Sequence, residues 1–169
     1  MSKKKKGAIE LSITAIIILI LAIVVLGLAL GFIRGMFGKV TKQIDQLISA
    51  EPEPPIASRS DPLTISRENI IVDPGESSVI KVSVYNPTGK EWKGATPFVE
   101  CTQDILSENQ SQKRTIKQGE ARNFNVILSF SDSIAKDNYL CVLKVEITNA
   151  SNQKEVVDYQ KDIVVKVTR

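Results

Sequence analysis

The chain has 169 residues, 43% hydrophobic, 24% charged and 5% aromatic, an ordinary globular balance on average. It contains no histidine, which excludes His-ligated metal sites, Ser-His-Asp or Cys-His catalysis and an imidazole pH switch. Net charge is +3, but Lys3, Lys4, Lys5 and Lys6 alone contribute more than that. From Glu51 to Arg169, 15 Lys and Arg stand against 17 Asp and Glu, a net of −2, so nothing beyond the N-terminus favours a polyanionic partner such as nucleic acid.

The apolar residues are concentrated at one end. Residues 1–7 form a basic N-terminus, and Leu11–Ile33 is a stretch of 23 residues without a charge. At about 1.5 Å per residue that stretch spans the ~30 Å hydrocarbon core of a bilayer, and it is too long for an ordinary cleaved secretory signal. The expectation is a retained transmembrane helix over 8–34. The lysines before it set against Arg34, Lys39 and Lys42 after it give only a slight orientation. Other features favour an outside location for everything beyond residue 34. Cys101 and Cys141 are the only cysteines, an even pair within strand-like runs, which suits an oxidising compartment. Asn109-Gln110-Ser111 and Asn149-Ala150-Ser151 are acceptor sequons in stretches that read as loops, whereas Asn86-Pro87-Thr88 is excluded by its proline.

Within the helix, Gly27, Gly31 and Gly35 fall four residues apart, a spacing that lets a second helix approach closely, although glycine is common in membrane helices generally. Apolar residues continue past the span at Ile33, Phe37, Val40, Ile44 and Leu47 in heptad spacing, which predicts an amphipathic helical stalk over 35–50. About two heptads are too few for an independent coiled coil, so the stripe needs a cover: a sister helix, the lipid surface or the protein's own outer domain. Glu51-Pro52-Glu53-Pro54-Pro55 ends the helix, because proline cannot donate a backbone hydrogen bond and restricts its predecessor to extended conformations. Residues 51–62 read as a short semi-rigid spacer.

From Leu63 the period becomes two. Ile80, Val82 and Val84 alternate with polar neighbours, as do Phe124, Val126, Leu128 and Phe130, although Ile127 spoils that polar face. Tyr139, Cys141, Leu143, Val145 and Ile147 form a third run, and Ile163, Val165 and Val167 a fourth. Turn signals separate the runs at Asp73-Pro74-Gly75, Asn86-Pro87-Thr88-Gly89, Gln118-Gly119 and Asn149-Ala150-Ser151. The pattern predicts a mainly β protein: one N-terminal transmembrane helix, then an antiparallel β-sandwich of about seven strands over 63–169. Pro74-Gly75-Glu76 and Gln118-Gly119-Glu120 form an internal echo, each a glycine turn leading into a long strand.

Two resemblances rest on these residues. Residues 63–169 resemble the immunoglobulin-like, adhesion-type domains common on prokaryotic, particularly archaeal, cell surfaces. The carriers are Asp73-Pro74-Gly75-Glu76, Asn86-Pro87-Thr88-Gly89, the Gly119-Glu120 strand start, and Tyr139-Leu140-Cys141, which matches the Tyr-x-Cys of an immunoglobulin strand F. Trp92 precedes Cys101, a departure from the antibody order. The resemblance therefore implies a disulfide joining a C-like strand to the F-like strand, through Cys101 and Cys141, in place of the usual inter-sheet pin; two buried free thiols remain the alternative. Lys4-Lys5-Lys6-Gly7-Ala8-Ile9-Glu10 before an apolar helix is similar to the class III signal of type IV pilins and archaeal flagellar filament proteins. That resemblance implies cleavage between Gly7 and Ala8, and a long helix from Ala8 to about Ser49 that bundles into a filament core. Glu10 would then stand third in the mature chain, where the family's glutamate is usually fifth.

An enzyme is the least supported class. Asp104, Glu108, Asp132 and Asp137 fall in loops without a metal-loop spacing, and they read as solvated charge. The expectation is a non-enzymatic, single-pass membrane protein with a cytoplasmic N-terminus and an extracellular immunoglobulin-like module for structural or adhesive interactions. It takes no cofactor, metal, small-molecule substrate or nucleic acid. Its expected partners are membrane lipid and, through the helix, another copy or another membrane or surface protein. A pilin-like filament subunit is the alternative.

Overall fold

The computed structural model describes residues 4–148 and 153–168, and of residues 4–12 and 36–43 the backbone alone. The chain forms two compact units, Met1–Ile44 and Asp45–Arg169. The first lies on helix α1 (Lys4–Ala50), so the predicted span and stalk are one uninterrupted helix. The last amide of its final turn, Glu51 N, donates to Leu47 O at 3.2 Å before Pro52 removes the next donor.

The second unit is a two-sheet sandwich. Its strands are β1 (Leu63–Ile65), β2 (Asn69–Val72), β3 (Ser77–Tyr85), β4 (Trp92–Cys101), β5 (Leu106–Ser111), β6 (Arg114–Ile116), β7 (Ala121–Phe130), β8 (Asn138–Thr148) and β9 (Lys154–Val167). One sheet has the order β1-β3-β7-β5 and the other β2-β9-β8-β4-β6. Nine segments appear where about seven strands were expected, because two edge strands change sheets. β1 pairs antiparallel with β3, and the chain then crosses so that β2 pairs parallel with β9. Likewise β5 pairs with β7 and its continuation β6 with β4. Counted as continuous strands there are seven, in the two-sheet arrangement of an immunoglobulin domain.

The four alternating runs predicted from sequence all point inward. Ile80, Val82, Phe124, Val126, Leu143 and Ile163 are each at most 1% exposed, and they meet between the sheets. Trp92, from the strand that carries Cys101, is 4% exposed in the same core. Ile127, which broke the polar pattern, faces outward directly opposite Val79, and Val79 is 2% exposed although it too points away from the core. The outer face of this sheet is therefore covered.

The proline-rich stretch expected as a semi-rigid spacer is tied to that face by side-chain contacts. Glu51 is buried; Ser66 Oγ donates to its carboxylate, and the Arg67 guanidinium lies 3.2 Å from it. Arg67 in turn donates to Ser78 Oγ and Val79 O. Lys81 Nζ reaches Glu53 at 2.6 Å, Thr64 Oγ1 donates to Pro55 O, and Ala57 N donates to Ser83 Oγ at 3.1 Å. Residues 51–62 form a strap in which the Glu51 and Glu53 carboxylates, Pro55 O and Ala57 N are paired with side chains of β1, β3 and the β1–β2 connection. Such pairing is what buried backbone and buried carboxylates require.

Candidate functional site: an apolar helix and a cross-linked module

Ile13–Gly35 is 23 residues long with mean hydropathy 3.3, and none of its length is buried by protein. Its large side chains stand in solvent: Leu28 is 70% exposed and Phe32 69%. An apolar helix with no protein cover has the length and composition of a membrane span or a signal. Gly27, Gly31 and Gly35 lie along one face of it, and a Cβ added at any of them meets nothing within 4 Å. The three positions thus form an open, shallow strip. On the heptad stripe, Ile33 is 46% and Leu47 40% exposed and Ile44 is half-buried. The side chains of Phe37, Val40, Ala8 and Glu10, like the surroundings of Gly7, lie outside the described residues.

In the outer unit Cys101 and Cys141 are joined, and they occupy directly opposed positions of β4 and β8 within one sheet. The bond therefore ties neighbouring strands and does not cross the core, as the position of Trp92 implied. Two residues before Cys141, the Tyr139 hydroxyl donates to Ala135 O at 2.8 Å, closing the loop that enters β8 as an immunoglobulin tyrosine corner does. The cross-link is the one that the resemblance implied for Cys101 and Cys141.

Asn109 departs from the expected loop. It lies within β5, opposite Leu128 of β7. Its Nδ2, the atom a glycan would occupy, donates to Val99 O at 2.6 Å, while its Oδ1 is buried. The strand was missed because Leu106–Ser111 is an edge with mostly polar side chains on both faces, which shows no alternation. Asn149 lies outside the described residues. Asp104 and Glu108 line a shallow cavity of about 410 Å³ beside Cys101, together with Glu100 and Asn109. Asp132 and Asp137 belong to the β7–β8 loop: Asp132 Oδ1 faces Gly75, and Asp137 Oδ1 accepts from Asn138 N at 2.7 Å. The structure does not bring the four carboxylates together, and among the described residues no group of three or more Cys, Asp or Glu is placed to hold a metal.

Sequence reasoning missed the residue on which one end of the sandwich depends. Asn86 is fully buried, and every polar atom it has is used. Nδ2 donates to Lys90 O (2.8 Å) and Ile116 O (3.0 Å), and Oδ1 accepts from Thr88 N (3.0 Å) and Thr88 Oγ1 (2.6 Å). Its backbone exchanges bonds with Glu120 O and Gly119 N. The Asn-Pro-Thr-Gly turn signal was visible, but the distant partner Ile116 was not.

No protein-family model and no curated protein sequence matches the chain. Among solved structures it is similar over 63% of its length to the periplasmic chaperone SfaE, at 7% identity and TM-score 0.39, covering 58% of that chain. It is similar over 69% to BcpA, the major pilin subunit of Bacillus cereus, at 13% identity and TM-score 0.36, covering 41% of that chain. A family 123 glycoside hydrolase from Clostridium perfringens is similar over 59%, at 7% identity and TM-score 0.41; this chain spans only 22% of that enzyme. These are likenesses of fold. The sandwich stands on its own strand order and register.

Proposed function

We propose that this protein is a non-enzymatic, single-pass membrane protein that holds its disulfide-linked immunoglobulin-like module outside the cell for structural or adhesive interactions. The observation that carries the reading is the unburied Ile13–Gly35 segment: over 23 residues none of the described residues covers its apolar side chains, so lipid is the cover that its chemistry demands. Lys3–Lys6 on one side and a disulfide on the other support a cytoplasmic N-terminus and an oxidising outer compartment. The absence of histidine from the sequence supports a binding role over catalysis. Protease added to intact cells tests the orientation: it is expected to digest 63–169, and full protection of the module contradicts the proposal.

A second reading has its own support. α1 runs without a break from Lys4 to Ala50, the long helix that a pilin-like filament core uses. In that reading the chain is cut between Gly7 and Ala8, because a lysine cluster is costly in an apolar bundle, and Glu10 pairs with a neighbour's new amine. Glu10→Ala then abolishes filaments while leaving the protein in the membrane; in the tethered reading it changes little.

A further inference from the structure

The longest strand, β9, is covered on its outer edge only where β2 pairs with it, at Val164–Val167. At Lys161 the neighbouring Asp61 closes the edge further, 3.2 Å away. Over Lys154–Val157, β9 pairs with β8 alone among the described residues, and Asp158–Gln160 form a bulge before that pairing resumes at Lys161. Such an edge presents a row of unpaired backbone groups to any strand that fits it. Their direction follows from the covered end, where Val164 N donates outward to Glu68 O. The bulge shifts the register with β8 by two residues, which keeps the parity, so the amides of Lys154 and Val156 face the same outer edge as that of Val164, and Asp158 follows them at the start of the bulge.

The side chains of those three residues share the solvent face. Lys154 is 73% exposed, Val156 is 48% exposed although it is a large apolar residue, and Asp158 is exposed. In order they read cation, apolar, anion. The sequence Lys-x-Val-x-Asp is therefore self-complementary when run antiparallel: about a twofold axis at Val156, Lys154 of one copy faces Asp158 of the other, twice, and the two valines meet between them. Opposite charges placed directly across strands stabilise such a pair, and like charges oppose it. A lysine on a strand edge ordinarily discourages pairing, but here its opposite position holds a carboxylate. Lys154 also pairs with Glu146 in its own chain at 2.9 Å, and an ammonium with three donors can serve both.

We propose that two copies of the outer module associate edge to edge, β9 against β9, antiparallel and centred on Val156. The contact joins the two five-stranded sheets into one and is separate from any contact made by the glycine strip of α1.

The test uses the full chain in detergent with Val156→Cys and a short thiol-specific bifunctional cross-linker; the native cysteines are bonded and do not react. A covalent dimer is expected. In that background Lys154→Glu or Asp158→Lys alone is expected to lower its yield about fivefold, because each places like charges across both ends of the pairing, and the two together are expected to restore it. Both substitutions are on the surface and leave the core untouched. No dimer, equal yields in all four proteins, or failure of the double substitution to recover the yield overturns the proposal.

Discussion

Gly75 and Gly119 occupy equivalent positions in two turns that lock β3 and β7 to each other from opposite ends. In Asp73-Pro74-Gly75-Glu76, Glu76 N donates to Asp73 O and Glu76 Oε2 accepts from Asp73 N, both at 3.2 Å. In Lys117-Gln118-Gly119-Glu120 the corresponding bonds, Glu120 N to Lys117 O and Lys117 N to Glu120 Oε2, are also 3.2 Å. The glycines have φ of 76° and 70°, as the third position of a type II turn requires. Each turn then docks on the far end of the other strand. Gly75 N donates to Ser131 O and Phe130 N to Glu76 O, while Gly119 N donates to Asn86 O and Asn86 N to Glu120 O. The internal echo in the sequence is thus a local twofold relation between the two central strands of one sheet.

That relation predicts the effect of a side chain at either glycine. Gly119→Ala is expected to cost about 1–2 kcal/mol, the penalty of the left-handed region, because space is open there and only the Tyr85 hydroxyl comes near, at 3.8 Å. Gly119→Asn is expected to recover about half of the loss, since asparagine tolerates that conformation. Gly75→Ala costs more, because its Cβ would sit 2.0 Å from Asp132 Oδ1 and the carboxylate must rotate away. Denaturant unfolding followed by the fluorescence of Trp92, the single tryptophan, measures all three.

Asn86→Ala is expected to be among the most damaging single changes in the module. It removes the Asn86 donor from the buried Ile116 O, leaves Lys90 O only the Thr88 hydroxyl, and empties a site in which Asn86 is fully buried, at a cost of about 3 kcal/mol. Thr88→Ala removes one donor to Asn86 Oδ1 but leaves the Thr88 amide on the same atom, so about 1 kcal/mol is expected. The same unfolding assay separates the two, and equal losses contradict the assignment of Asn86 as the hub.

The disulfide closes a separation of 40 residues, for which chain entropy predicts about 4 kcal/mol. Replacing both cysteines with serine is expected to lower the denaturation midpoint by a corresponding amount. Tyr139→Phe, which removes only the hydroxyl bond to Ala135 O, is expected to lose about 1 kcal/mol.

At Asn109 the acceptor sequence is expected to stay unmodified, because Nδ2 is bound to Val99 O within a paired strand. Mass spectrometry of the native peptide containing Asn109 checks this; a glycan there contradicts the local geometry.

Much of this fold was legible because its signals are local. A long apolar run declares a helix, period-two alternation declares half-buried strands, and all four runs point into the core. The Tyr-x-Cys match and the position of Trp92 before Cys101 implied the cross-link through a resemblance. What was not legible depends on distant partners. Glu51 and Ala57 read as parts of a spacer, since Ser66, Arg67 and Ser83, which fix them, carry no mark of that role in sequence. Ile127 looked like an error in a polar face until Val79 appeared opposite it. Sheet switching at β1–β2 and β5–β6 is invisible to periodicity, which reports faces and not neighbours.

The intact mass of the chain extracted from native membranes tests the central claim most directly. A membrane-tethered module is expected in the membrane fraction with Lys3–Lys6 still attached and two hydrogens fewer than the reduced chain, for the Cys101–Cys141 bond. A mature chain beginning at Ala8, or a chain recovered only in the soluble fraction, contradicts it.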